Sequence, residues 1–120
     1  MTLAVQEDLG RYGHRERFKN GSGINAGDLV IESRGLFSYD TFLIMSTAGV
    51  LEIFVCIDGE NFTTSPISIS DLTAAALTPV LVTEAGKIYG FRGGYEKIQA
   101  RQVGATAVAG ASLLCLGQGR

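Results

Sequence analysis

The sequence predicts an all-β protein: an antiparallel β-sandwich or jelly roll of about eight short strands, carrying an extended N-terminal arm. Three observations lead there. From Ile24 onward, short runs rich in Val, Ile, Phe, Tyr and Thr alternate with clusters of Gly, Asp, Asn and Pro, the pattern of strands and turns. Glycine supplies 16 of 120 residues and proline only 2, so the excess glycine serves turns rather than a disordered tract. The runs also follow one another too closely for crossover helices, and a parallel βαβ unit of about 30 residues does not fit between them. With 46% hydrophobic residues, 18% charged and a net charge of −2, the chain has material for one core and too little charge to stay unfolded.

Taken in order, residues 1–23 form the arm and residues 24–120 the β-sandwich domain. In the arm, Arg11, Arg15, Arg17 and Lys19 alternate with Glu7, Asp8 and Glu16, and glycines punctuate them. Its large apolar residues Leu3, Val5, Tyr12 and Phe18 keep neither a 3.6 nor a 2 period, so it is expected to form no amphipathic helix or strand of its own and to need a partner surface. The expected strands are 28–33, 41–47, 50–57, 61–65, 67–70, 79–83, 87–91, 97–103 and 111–116. Asp58-Gly59 between two apolar runs is the strongest turn signal, and predicts a tight hairpin. Glu84–Lys87 and Val103–Thr106 are further turns, so consecutive strands are expected to run antiparallel. The run Leu51–Ile57 is apolar on both faces and predicts a central strand covered by the second sheet and by a loop or neighbouring subunit. In Lys97–Gln102, by contrast, Lys97, Gln99 and Arg101 share one face and Ile98 and Ala100 the other, the half-exposed pattern. Only Leu72–Leu77 is rich in helix formers, and it predicts one or two helical turns before Pro79.

Chemistry is sparse. Ten basic against twelve acidic residues give no footprint for a phosphate backbone, so direct nucleic-acid binding is not expected. The start lacks a cationic opening followed by an apolar stretch, which leaves a secretory signal unsupported, and Gln102–Gly119 is interrupted too often by polar residues and glycine to span a membrane. The single histidine, His14, sits in the polar arm, and Cys56 and Cys115 lie in apolar runs as small buried hydrophobes, so no catalytic residue, metal site or cofactor site is assigned. Asp58 and Glu60 belong to the turn. Gly90–Tyr95 has no Lys-Ser/Thr ending and no following helix, which makes it a loop or bulge rather than a phosphate cradle. Arg92, flanked by Phe91 and Tyr95, is a candidate for stacking on a partner; together with Leu3, Val5, Tyr12 and Phe18 these residues form the expected partner interface.

The run Phe54-Val55-Cys56-Ile57-Asp58-Gly59-Glu60-Asn61-Phe62-Thr63, followed by Ile69-Ser70-Asp71-Leu72, resembles the small β-sandwich structural proteins of tailed bacteriophages. The stretch Gly90–Val108 is similar to the strand-turn-strand endings of such proteins, and the resemblance spans roughly residues 50–116. It implies a noncatalytic virion component, a capsid decoration or cement protein that sits on the capsid surface after synthesis in the host cytoplasm. The partners it implies are the major capsid protein and other copies of the chain; the strand with two apolar faces independently suggests a subunit interface, closed most simply as a ring such as a trimer. A head-tail connector or tail structural protein is the nearest alternative. A carbohydrate- or ligand-binding module is another, with Tyr39, Tyr89, Phe91 and Tyr95 as stacking surfaces, though the sequence contains no tryptophan.

Overall fold

In the computed structural model, residues 2–3, 5–8, 15–19, 29–32, 39–103, 108 and 111–119 are described, and among them every regular element is a strand. In chain order these are β1 (Thr2–Leu3), β2 (Val5–Asp8), β3 (Arg15–Lys19), β4 (Leu29–Glu32), β5 (Thr41–Ala48), β6 (Leu51–Cys56), β7 (Ile69–Asp71), β8 (Thr78–Val80), β9 (Ile88–Arg92), β10 (Lys97–Gln102) and β11 (Ser112–Gln118). They form two sheets, a smaller one in the order β1-β4-β10-β6 and a larger one in the order β2-β3-β11-β5-β9-β7-β8. Apart from the parallel pair of β1 with β4, the ladders are antiparallel.

One core draws on both sheets. Phe42 and Ile44 of β5, Tyr89 and Phe91 of β9, and Leu113 and Cys115 of β11 meet Leu51, Ile53 and Val55 of β6 and Ile98 and Ala100 of β10. This arrangement is compatible with a β-sandwich. Period-2 alternation places these residues, because successive strand side chains point to opposite faces. Phe42 stacks on Phe91 with ring centres 5.4 Å apart, and Tyr39 meets Phe42 edge-on at 5.9 Å. Gly93 is required where the chain leaves β9: a Cβ there would overlap the Tyr39 carbonyl, and the Gly93 amide donates to the Asp40 carbonyl at 2.7 Å.

The two-sided apolar strand β6 has a different neighbourhood from the one expected. It ends the smaller sheet instead of lying at its centre, and irregular chain occupies its outer edge: Thr63 N–H donates to Val55 O, Ile67 N–H to Ile53 O and Thr83 N–H to Leu51 O, at 2.8 to 2.9 Å. On its second face Phe54 is covered by the chain's own Arg101, whose guanidinium carbon stands 5.0 Å from the ring centre. Along β10, Ile98 and Ala100 are buried and Arg101 is exposed, as the alternation predicts.

Other expectations need correcting. Residues 61–65 form no strand, only the isolated bridge of Cys56 with Phe62, and the strands expected at 67–70 and 79–83 appear at Ile69–Asp71 and Thr78–Val80. Leu72–Leu77 makes turns and bends rather than helix. There the Asp71 carboxylate accepts from both the amide and the hydroxyl of Thr73, at 2.9 and 2.6 Å, holding the chain in a side-chain turn that competes with helical bonding over a segment too short to nucleate. Turns at Gly49 and Glu84–Lys87 reverse the chain without pairing its neighbours, and the turn expected at Val103–Thr106 lies, but for Val103, outside the described residues: β5 and β6 lie in different sheets, as do β10 and β11, and β7 stands between β8 and β9. The arm segment also differs. Arg15–Lys19 pairs along β11, Val5–Asp8 pairs along Arg15–Lys19, and Thr2–Leu3 joins β4, so backbone pairing supplies what the side-chain period lacked.

Candidate interaction surface

The inner face of the larger sheet is the core; its outer face is apolar as well. Along β5, Phe42, Ile44 and Ser46 are buried while Leu43 and Met45 point away and are half-buried. Along β11, Leu113 and Cys115 are buried while Leu114 and Leu116 are half-buried on the other side. Register aligns the outward residues into two rows, Leu116 with Leu43 and Gly90, and Leu114 with Met45 and Ile88. Between them lies an open hollow of about 260 Å³. At Gly90 the row dips, and Leu72 fills part of the gap, its Cδ1 3.2 Å from where a Cβ would stand. A sheet face open to water normally carries polar residues at such positions.

Beyond this stripe a second, more polar cleft of about 520 Å³ opens beside Arg92. Leu72, Leu77 and Tyr95 form apolar walls, and the hydroxyls of Ser68 and Ser70 line it. Arg92 is exposed at the end of β9 and makes no ion pair with a described residue. Phe91, next to it, is 8% exposed and holds the cleft's floor to the core, and Tyr95 packs against Phe91 at 6.4 Å.

No family model, curated protein or solved structure matches this chain. The surface must therefore be interpreted from its own chemistry.

Of the residues expected at a partner interface, the structure gathers Phe91, Arg92 and Tyr95 at the second cleft, with Phe91 belonging to the core rather than to a contact surface. Leu3, Val5 and Phe18 fall in β1, β2 and β3, where Phe18 stands level with Cys115 of β11; Tyr12 lies outside the described residues, as does His14. The aromatic platform considered for a carbohydrate is dismantled by burial. Tyr39, Tyr89 and Phe91 are core residues, and the Tyr89 hydroxyl accepts from the Glu84 amide at 2.7 Å, which leaves Tyr95 alone at the surface.

Both cysteines are free and buried, one in each sheet. Burial pushes the Cys115 thiol far above its ordinary pKa, which disfavours a thiolate there. Cys56 is tied into the Asp58 turn: its Sγ accepts from the Gly59 amide at 3.1 Å and donates to Asp58 Oδ1 at 3.4 Å. Asp58 itself is structural. Its carboxylate accepts from the Asn61 amide at 2.8 Å, the Asn61 side chain at 2.7 Å and the Glu60 amide at 2.9 Å, and these donors hold it far below the usual carboxylate range. Gly59 occupies the left-handed region at φ +84°, as an Asp-Gly turn requires.

Sequence reasoning missed the outward stripe. Its signal was present in Thr41–Ala48 and Ser112–Gln118, whose runs Phe-Leu-Ile-Met and Leu-Leu-Cys-Leu are apolar at consecutive positions. Two-sided character was inferred only for Leu51–Ile57.

Proposed function

We propose that the chain is a noncatalytic structural protein of a tailed-phage virion, a capsid decoration protein that binds the outer shell and bridges its subunits. The observation that supports this most is the apolar outer face of the larger sheet. Leu43, Met45, Leu114, Leu116 and Ile88 form a continuous stripe on rigid strands, the kind of exposed patch that marks a protein interface. A scaffold whose sheet is apolar on both sides folds through one face and docks through the other.

Strand order adds support for a jelly roll. The series β4-β10-β6 in one sheet, with Thr83 bonded to the outer edge of β6, and β5-β9-β7-β8 in the other has the chain crossing between sheets from β4 to β5, β5 to β6, β6 to β7 and β9 to β10, with β7 and β8 paired in one sheet, the pattern of interleaved Greek keys. Strand β11 and the β2–β3 pair then extend the second sheet. In this account self-association into a ring, such as a trimer, accompanies shell binding.

The test is co-sedimentation of the purified chain with empty shells assembled from the capsid protein encoded alongside it, with bound copies counted per shell. Saturation at hundreds of copies supports decoration. Saturation at a dozen or fewer assigns the chain to a head-tail connector or tail, and absence of binding contradicts a shell partner.

A further inference from the structure

Opposite in character to the Arg92 cleft is the tip that follows β6. Ile57 is 76% exposed there, the most exposed large apolar side chain among the described residues. It is presented on a rigid support, because the Asp58 carboxylate is held by the amides of Glu60 and Asn61 and by the Asn61 side chain, and Glu60 points into water without a described partner. A preordered tip loses little freedom on docking. The tip thus offers one large apolar group flanked by the carboxylates of Asp58 and Glu60. The Arg92 cleft offers the complement: a cation without an ion-pair partner among the described residues, beside the exposed walls of Leu72 and Leu77, at 41% and 71%, and the ring of Tyr95.

We propose that the tip of one copy seats in the cleft of a second, with Ile57 packed between Leu77 and Tyr95 and Glu60 paired with Arg92. The exposure of Ile57 shows that it does not occupy its own cleft. A bond from the Glu96 amide to the Cys56 carbonyl, 2.8 Å, fastens the cleft's loop to the base of the tip, so donor and acceptor patches are held at a fixed relation within each copy. Such a pair of different patches closes either as a reciprocal dimer or as a ring. Apolar burial supplies the attraction, and the ion pair sets the register. This contact deepens the self-association in the proposed function and rests on it.

The experiment is light scattering across a concentration series for the full chain and for Ile57→Ser, Arg92→Glu, Glu60→Lys and the double variant Arg92→Glu/Glu60→Lys, each checked for an unchanged thermal melt. The three replaced side chains are exposed, so the fold is expected to tolerate them. The expected result is a defined oligomer for the parent chain, association at least about tenfold weaker in each single variant, and recovery in the double variant. Single variants that associate like the parent overturn the contact while leaving self-association standing. A double variant no better than its singles overturns the Glu60–Arg92 pairing. A parent chain that stays monomeric overturns the contact and the self-association together.

Discussion

The two faces of the larger sheet are built from the same kinds of residue and meet different surroundings. Along β5, inward Phe42 and Ile44 are 0% and 1% exposed, while the intervening Leu43 and Met45 remain half-buried with no layer of described chain across them. Along β11, Leu113 and Cys115 contrast with Leu114 and Leu116 in the same way. Hydrophobicity alone therefore does not locate the core; what decides is whether the other sheet lies opposite. The inner face stabilises the fold, and the outer face keeps apolar area that the described chain leaves partly exposed.

The largest effect that tests this contrast is truncation on the inner side. Phe42→Ala is expected to cost about 3–5 kcal/mol in a urea titration, since it empties the stack with Phe91. Leu43→Ser, one residue away, is expected to cost no more than about 1 kcal/mol. Similar losses at the two positions would break the distinction. Next in size is Thr83→Ala. The Thr83 hydroxyl accepts from the buried Leu51 amide at 3.1 Å, so its removal orphans a donor at the edge of β6 and should cost about 1–3 kcal/mol. Thr83→Ser, which keeps the hydroxyl, should recover most of that loss.

The smallest effect concerns pH. Asn61 and Glu60 donors lower the pKa of Asp58, and the Thr73 hydroxyl lowers that of Asp71 against an opposing effect of burial. Both carboxyls are harder to protonate folded than unfolded. Their stabilisation is complete above the unfolded value of about 4 and is lost as pH falls below it. Asp58→Asn should therefore flatten the fall in melting temperature between about pH 4 and pH 2. An unchanged slope would show that the tip's hydrogen bonds add nothing to the fold.

Much of the fold was legible because local chemistry and global structure agree. Alternation in Lys97–Gln102 gave the correct buried pair, Ile98 and Ala100, while Asp58-Gly59 marked a chain reversal with positive φ at Gly59 but not the tight hairpin expected, whose second strand shrinks to the single bridge of Cys56 with Phe62. Strand neighbours were not legible. A turn such as Gly49, where Ser46 Oγ donates to the carbonyls of Ala48 and Gly49 at 2.9 Å, reverses the chain whether it joins a hairpin or crosses between sheets. The arm's pairing was hidden for a related reason: backbone hydrogen bonds to β11 need no apolar period in Arg15–Lys19. Arg92 and Tyr95, singled out in the sequence by their aromatic and cationic neighbours, line one cleft. The outward stripe was missed because Leu43 and Leu116 become neighbours only through the pairing of β5 with β11, across more than half of the chain.

The most direct test compares shell binding with folding in a single variant, Leu43→Lys/Leu116→Lys, which places two charges in adjacent register positions on the outer face. The account predicts a melting temperature close to that of the parent chain and loss of co-sedimentation with empty shells. Undiminished shell binding by a folded variant would contradict it, and would move the docking function off the larger sheet.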